Sequence, residues 1–159
     1  MRTLVLALSA LCLVGAARPT RGRTCEPLPR YETMHWGPVP LLFPAGAEIA
    51  ILNGDPTARG CFTAALSMPD GYTWPAHYHA RDQFVAVTQG ALIVRLGAGS
   101  SRQVSRVLSA GDTGTVPAGT RYSTVAKGST VIAVTAAGPF DVTYVNPAQD
   151  PLYRPSFPF

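Results

Sequence analysis

The feature that most constrains the fold is a succession of short apolar runs separated by turn residues. The runs are rich in Val, Ile, Thr and aromatic residues, and no segment of helical length carries apolar residues at helical spacing. Glycine and proline, fifteen of each, provide the breaks between the runs. Many short strands joined by such turns predict an all-β sandwich or barrel. Strands are expected at 39–43, 48–52, 62–68, 84–88, 92–96, 104–108, 113–116, 121–125, 131–136 and 141–145.

The composition fits one globular domain and argues against a nucleic-acid partner. The chain has 159 residues, of which 47% are hydrophobic and 14% are charged, which suits a single ordinary domain. Its net charge of +4 is mild. The arginines are scattered along the sequence and form no basic stripe interleaved with stacking aromatics, so we expect no nucleic-acid binding.

The first 16 residues have the three parts of a secretory signal peptide. A positive residue, Arg2, precedes an apolar run at 4–14, and small residues follow up to an expected cleavage after Ala16. The run is shorter than the ~20 residues that a membrane span needs. We therefore expect a secreted or periplasmic protein with an N-terminal arm at 17–35 and no membrane span once the signal is cleaved.

Two observations keep a cytoplasmic location open. Three arginines lie just after the apolar run, where positive charge opposes export. Translation that starts at Met34 would also remove the whole leader. N-terminal sequencing distinguishes these cases.

Export would make a disulfide available. Cys12 lies in the signal, which leaves Cys25 and Cys61 as an even pair in an oxidising compartment. A bridge between them would contribute ~2–4 kcal/mol if its geometry is unstrained. The alternative is that Cys61 is a buried small hydrophobic residue.

Two histidines at a spacing of two residues indicate a metal site. Residues i and i+2 of an extended segment point to the same face, so His77 and His79 are expected to lie side by side. Gln83 offers an oxygen donor four residues later, and the three together form a plausible metal clamp. Asp82 has the opposite strand parity and is expected to face away.

The glycines around these residues carry a family resemblance. The frame Gly-x5-His-x-His-x3-Gln-x6-Gly at 71–90 resembles the first motif of the cupins, with Gln83 where that family usually has Glu. The frame Gly-x5-Pro-x-Gly-x2 at 111–121 resembles the second motif, and Tyr122 follows where the family usually has its last metal ligand, a His. The segment 138–147 is similar to the last strand of small single-domain cupins.

The resemblance implies a fold and a cofactor. It covers roughly 36–153, leaves 154–159 as a C-terminal tail, and implies a single-domain jelly-roll β-barrel, the double-stranded β-helix of the cupins. It also implies one transition-metal ion, with iron, manganese, nickel, copper and zinc not distinguished by the sequence. The expected ligands are His77, His79, Gln83 and Tyr122.

Such a donor set leaves coordination positions open, as in non-haem iron oxygenases. If the protein is an enzyme, we expect a metal-dependent dioxygenase-like catalyst acting on a small phenolic or enolic molecule. Aromatic residues near the histidines are the expected pocket wall: Tyr72, Trp74, Tyr78 and Phe84.

Other functions remain open at this point. Gln83 could line the barrel without touching an ion, and Tyr122 could plug it, because a phenol binds metal only after losing its proton. The chain would then be a non-catalytic cupin that binds a small ligand beside a degenerate metal site. Metal-free acid–base chemistry is a third alternative. The nearly continuous apolar central strands suggest that both sheet faces are covered, the outer one by the N-terminal arm or by a second subunit. By analogy with cupins, we expect a homodimer.

Overall fold

The computed structural model describes residues 34–98 and 102–154, and within them the chain is almost entirely β-structure. A single 3-10 turn at Pro147–Gln149 is the one helical element in these ranges. None of their helices is long and apolar enough to span a bilayer. The expected all-β class is confirmed. The strands are β1 Gly37–Pro38, β2 Glu48–Asn53, β3 Gly60–Met68, β4 Thr73–Tyr78, β5 Gln83–Leu96, β6 Val104–Ser109, β7 Thr113–Val116, β8 Tyr122–Gly138 and β9 Thr143–Tyr144.

All pairings are antiparallel, and two long strands run through both halves of the sheet. The C-terminal half of β8 pairs with β3 and with the first half of β5, which gives the order β1-β2-β3-β8-β5-β7. The N-terminal half of β8 pairs with β4 and with the second half of β5, which gives the order β9-β4-β8-β5-β6. The two halves face each other as in a jelly roll and enclose the core.

Gly90 lets β5 pass from one half to the other. Its φ of 70° lies in the left-handed region, and the pairing register between β5 and β8 shifts twice near it, between Val87 and Gln89 and between Gln89 and Ala91. A Cβ at this position would overlap the carbonyl oxygen of Ser129. The expected strands 84–88 and 92–96 are therefore one strand, and 121–125 and 131–136 are likewise joined in β8.

One predicted strand is absent and another is shorter than expected, and two short strands, β1 and β4, were not predicted. Residues 39–43 form a turn, in which Phe43 N–H donates to the carbonyl of Pro40 at 2.9 Å. Prolines at 38, 40 and 44 leave too few N–H donors for a ladder there. The last predicted strand, 141–145, shrinks to Thr143–Tyr144. The histidine segment itself forms β4, which was absent from the predicted strands.

The core follows the alternation of the long strands. Inward residues of β3 and β8 face each other across the ladder, for example Leu66 opposite Ile132, and both are buried. The outward residues Ala65, Ala133 and Thr135 are buried as well. The outward residues of β5 are half-buried or exposed, so the expected covering of the outer face is seen on β3 and β8 but not on β5.

Several sequence predictions lie outside the described residues. The signal peptide at 1–16, the Met1 start and most of the arm fall before residue 34. Cys25 falls there too, so its pairing with Cys61 stays a prediction. The C-terminal tail lies almost wholly beyond residue 154.

Candidate functional site

Strand β4 delivers both histidines to the barrel interior. His77 pairs in register with Tyr122 of β8, and His79 lies just beyond the end of the strand. The two imidazole rings meet edge to face with centroids 5.0 Å apart. His77 is fully buried and His79 is 4% exposed. The two-residue spacing thus places both rings at one point.

Backbone carbonyls fix the tautomer of each histidine. Nδ1 of His77 lies 2.7 Å from the carbonyl oxygen of Pro75, and Nδ1 of His79 lies against the carbonyl oxygen of Asp141. A carbonyl only accepts, so in both rings the proton sits on Nδ1, as the hydrogen-bond network assigns it. Both Nε2 atoms consequently present a lone pair. This is the arrangement of metal-binding histidines, in which the second ring nitrogen donates to a carbonyl or a carboxylate.

Tyr122 and Gln83 come to the same place. The Tyr122 hydroxyl lies 3.0 Å from Nε2 of His79 and 3.2 Å from Oε1 of Gln83. All three side chains are buried. The hydroxyl has one proton and two acceptors beside it, so it can satisfy only one of them at a time.

Nε2 of His77 is the unsatisfied atom of the cluster. It is the one fully buried side-chain nitrogen or oxygen without a hydrogen-bond partner in the described part of the chain. The cluster thus contains three buried acceptors, the two Nε2 atoms and the Gln83 carbonyl, and the Tyr122 hydroxyl lies beside only the latter two residues, His79 and Gln83. A buried acceptor without a donor costs about 1–3 kcal/mol, so the cluster is short of positive charge or donors.

Burial keeps the cluster neutral. Loss of solvation lowers the pKa of His77 to about 3, against an upward effect of its bond to Pro75 and a further lowering by His79. Burial also lowers the pKa of His79 and raises that of Tyr122. No group of three or more His, Cys, Asp or Glu side chains that could hold a metal occurs within residues 34–98 and 102–154. The donors are thus two imidazoles, an amide and a phenol.

The acidic neighbours have other partners. Asp82 accepts the backbone N–H of Ala118 at 2.8 Å, which occupies the carboxylate away from the histidines. Asp141 holds the segment that carries His79. Its carboxylate accepts the N–H of Ala80 at 2.9 Å and lies 3.7 Å from the guanidinium of Arg81. Sequence reasoning missed Asp141, since it is 62 residues from His79 and in a loop.

Trp74 supports His77 from the other side. The indole stacks on the imidazole with centroids 4.2 Å apart and an interplanar angle of 19°. Its N–H donates to the Tyr144 hydroxyl at 3.1 Å, which in turn donates to the carbonyl of Leu42 at 2.8 Å. The ring that carries the unsatisfied Nε2 is therefore held in a fixed orientation.

Two cavities adjoin the cluster and share Trp74 and Gln83. The first, the aromatic cavity, has a volume of about 350 Å³. The rings of Phe43, Phe62 and Phe140 contribute to its wall together with Trp74. The second, the aliphatic cavity, has a volume of about 380 Å³ and reaches Tyr122 as well as Gln83.

Of the four aromatic residues predicted for the pocket wall, the structure places one at the cavities and three elsewhere. Trp74 lines both cavities, whereas Tyr72, Tyr78 and Phe84 line neither. Tyr72 is buried with its hydroxyl donating to the carbonyl of Pro44 at 2.7 Å. The phenylalanines of the aromatic cavity were not identified from the sequence. Only Phe62 had a signal, because it begins the alternating inward row of β3.

Comparison with known proteins finds similar folds among solved structures. No family matches the sequence in a scan of known protein families, and no curated protein matches it. KdgF from Halomonas sp. is similar at 27% identity, over 65% of this chain and 86% of that chain, with a TM-score of 0.52. A putative acetylacetone dioxygenase from Methylibium petroleiphilum PM1 is similar at 23% identity, over 84% and 90% of the two chains, with a TM-score of 0.60. An RmlC-like cupin from Shewanella frigidimarina NCIMB 400 is similar at 19% identity, over 70% and 90%, with a TM-score of 0.55.

Proposed function

Because this chain is a cupin by its fold, we propose that it binds one transition-metal ion between β4, β5 and β8 and acts on a small organic molecule. The ligands are Nε2 of His77, Nε2 of His79 and the carbonyl oxygen of Gln83. The observation that carries the proposal is the surplus of buried acceptors, above all the unpartnered Nε2 of His77. A cation held by these side chains would give the unpartnered acceptor a partner.

The chemistry of these ligands indicates which metals suit the site and how strongly they bind. Imidazole suits zinc, copper, iron and nickel. No carboxylate takes part, so the site lacks the Coulomb attraction that Glu would give, and binding is weaker than in a site with a negative ligand. Tyr122 would either join the ligands as a phenolate or turn aside so that His79 could bind the ion.

When bound, the ion would supply Lewis acidity toward an oxygen donor of the substrate. The side chains supply the rest. Trp74 holds the His77 ring, the Asp141 backbone holds His79, and the Tyr122 hydroxyl can donate a proton to a substrate oxygen. The aromatic cavity offers flat apolar walls beside Gln83, which suits a planar enolic or phenolic substrate.

Oxygenase-type chemistry is the reaction class that we propose for this site. One similar structure is a putative acetylacetone dioxygenase, and another is oxalate oxidase, 22% identical over 84% of this chain with a TM-score of 0.53. Those activities belong to those proteins, and they make oxygen consumption the first activity to screen for here.

We further propose that the protein is exported, with a signal peptide at 1–16, a bridge between Cys25 and Cys61, and a homodimer as its assembly. The leader pattern supports export, and the even cysteine pair supports the bridge. The homodimer rests on analogy with cupins, which often pair sheet to sheet.

A second candidate is a non-catalytic ligand-binding cupin. It is favoured by the Tyr122 hydroxyl, which already lies within hydrogen-bond distance of both His79 and Gln83. In that case the Tyr122 hydroxyl occupies the place of a metal ion, and the ligand binds only in the cavities.

Elemental analysis separates the two candidates. The full-length protein is expressed with its leader and without added metal, beside a His77→Ala/His79→Ala variant. A His35→Ala variant is the matched control, because His35 is exposed and outside the cluster. Near-stoichiometric metal in the wild type and the control, lost in the double variant, supports the metal site.

Metal in none of the proteins refutes the metal-site proposal. Circular dichroism verifies that the double variant is folded, and a Gln83→Glu/Tyr122→His variant is loaded in parallel. Gain of metal in that variant alone would show that the fold is intact and that the wild-type site has lapsed.

A further inference from the structure

The aliphatic cavity is lined by residues of six strands, β3 to β8. Leu92, Val94 and Leu96 of β5 line it together with Ile132 of β8. Their cross-strand partners on β6 share this face, because directly paired residues in an antiparallel ladder lie on the same side. Leu108 is the partner of Leu92, and it lines the cavity as well.

The residue of β6 that pairs with Val94 is an arginine. Arg106 pairs with Val94 and lines the same cavity, so its side chain belongs to the inner face of an edge strand. Within the described residues it forms no ion pair, as the one salt bridge there joins Arg81 and Asp141. No Asp or Glu lines the cavity. A single exposed and unpaired positive charge thus stands at the edge of a chamber whose other lining side chains are uncharged.

The chamber also has an entrance. Strands β6 and β7 both pair with β5 but not with each other, and residues of both line the cavity. Gly114 of β7 pairs with the buried Val85, so it shares the inner face. A Cβ placed there would meet nothing within 4 Å. The space in front of Gly114 is therefore open.

We infer that this cavity binds an amphipathic carboxylate through the gap between β6 and β7. The apolar body lies against the aliphatic wall, and the carboxylate pairs with the Arg106 guanidinium. A volume of about 380 Å³ is within the range of small-molecule sites and suits a medium-chain fatty acid or an acid of similar size. Guanidinium groups favour carboxylates because their donors match both oxygens.

This inference goes beyond the metal-site proposal and does not depend on it. Arg106 lies on β6, whereas the histidines lie on and just after β4. The aliphatic cavity and the histidine cluster share Gln83 and Tyr122, because both residues line the cavity and belong to the cluster. Binding is accordingly tested on protein treated with chelator.

Tryptophan fluorescence provides the assay. The chain has two tryptophans, and Trp74 lines the cavity while Trp36 is 37% exposed. A Trp36→Phe background leaves Trp74 as the single reporter. Octanoate is titrated below its micelle concentration, with 1-octanol as the probe that keeps the chain but lacks the charge. A saturable change in Trp74 emission with octanoate is expected.

Three variants identify the site. Arg106→Ala is expected to weaken octanoate binding by about fivefold, the upper effect of an exposed ion pair, and to leave 1-octanol unchanged. Arg106→Lys keeps the charge and is expected to restore most of the affinity. Arg95→Ala is the matched control, because Arg95 pairs with Ser105 on the outer face of the same two strands and should change nothing.

Gly114→Leu fills the entrance and is expected to abolish binding of both probes. Its φ is not in the left-handed region, so the substitution brings no backbone strain. Equal octanoate affinity in the wild type and Arg106→Ala would overturn the inference, as would binding that survives Gly114→Leu. Failure of Arg106→Ala to affect octanoate, combined with new self-association, would assign Arg106 to protection of the β6 edge instead.

Discussion

The buried state of His77 makes a quantitative prediction for the pH dependence of stability. Burial lowers the pKa of this imidazole from its ordinary 6.5 to about 3, and its ring is fully buried. Below pH 6.5 the unfolded chain binds a proton at His77 that the folded chain does not. Stability is therefore full above this pH and falls as the pH decreases.

The size of the effect follows from the linkage relation. Each pH unit below the unfolded pKa costs about 1.4 kcal/mol per histidine kept neutral by the fold. Between pH 6.5 and 5.0 the cost for His77 is thus about 2 kcal/mol, a large share of an ordinary domain's stability. The lowered pKa of His79 adds a change of the same sign.

Urea unfolding at pH values from 7.5 to 5.0, in the presence of a chelator, measures this slope. The lower limit stays above the range in which ordinary carboxylates titrate. His77→Gln removes the titrating group and is expected to flatten the slope by about 1.4 kcal/mol per pH unit at the acidic end. The comparison is one of slopes, so a general loss of stability in the variant does not affect it. Equal slopes in the two proteins would refute the neutral, buried assignment of His77.

Three further predictions rest on single contacts. Tyr122→Phe removes the only proton shared by His79 and Gln83, so urea unfolding should show a loss of about 1–3 kcal/mol. Asp141→Ala loosens the carbonyl that orients His79 and should weaken metal binding by about tenfold in chelator competition, whereas Asp82→Ala should leave it unchanged. Gly90→Ala should prevent folding or cost several times the roughly 1–2 kcal/mol expected for Gly111→Ala, which has the same backbone demand but open space around it. Thermal melts followed by circular dichroism measure that difference.

The residues that could be identified from the sequence are those that belong to a strand repeat or to a motif of spaced glycines. His77 and His79 were paired through the two-residue repeat of an extended chain, and Tyr122 and Gln83 were found from their places after spaced glycines. All four now lie in one hydrogen-bonded and stacked cluster. Their role as ligands stays a proposal, since their proximity alone does not bring an ion.

The residues that were missed belong to irregular segments. Phe43 lies in a proline-rich turn and Phe140 follows the end of β8, so neither shares a repeat with the histidines. The same limit applies to strand ends. Gly90 looked like a turn between two strands, and only the register shows that β5 continues through it.

Gln83 and Tyr122 stand where the cupin pattern has Glu and His, and these two side chains suit each other chemically. The Nε2 atom of His77 is the one acceptor that they leave without a donor. A phenol at 122 needs an acceptor, and the Gln83 carbonyl and His79 Nε2 both provide one, so these three side chains form a neutral group in which the hydroxyl proton serves one acceptor at a time. A buried Glu at 83 would instead carry a charge that only a cation could offset. His77 does not fit this neutral group, because its Nε2 has no donor and its proton is held on the other nitrogen by Pro75. If the barrel served only as an apolar container, replacing His77 with Phe would remove an unsatisfied acceptor and should cost little or even stabilise the fold. A strong loss of stability in metal-replete protein, together with no loss in chelator-treated protein, would instead assign that lone pair to a bound cation.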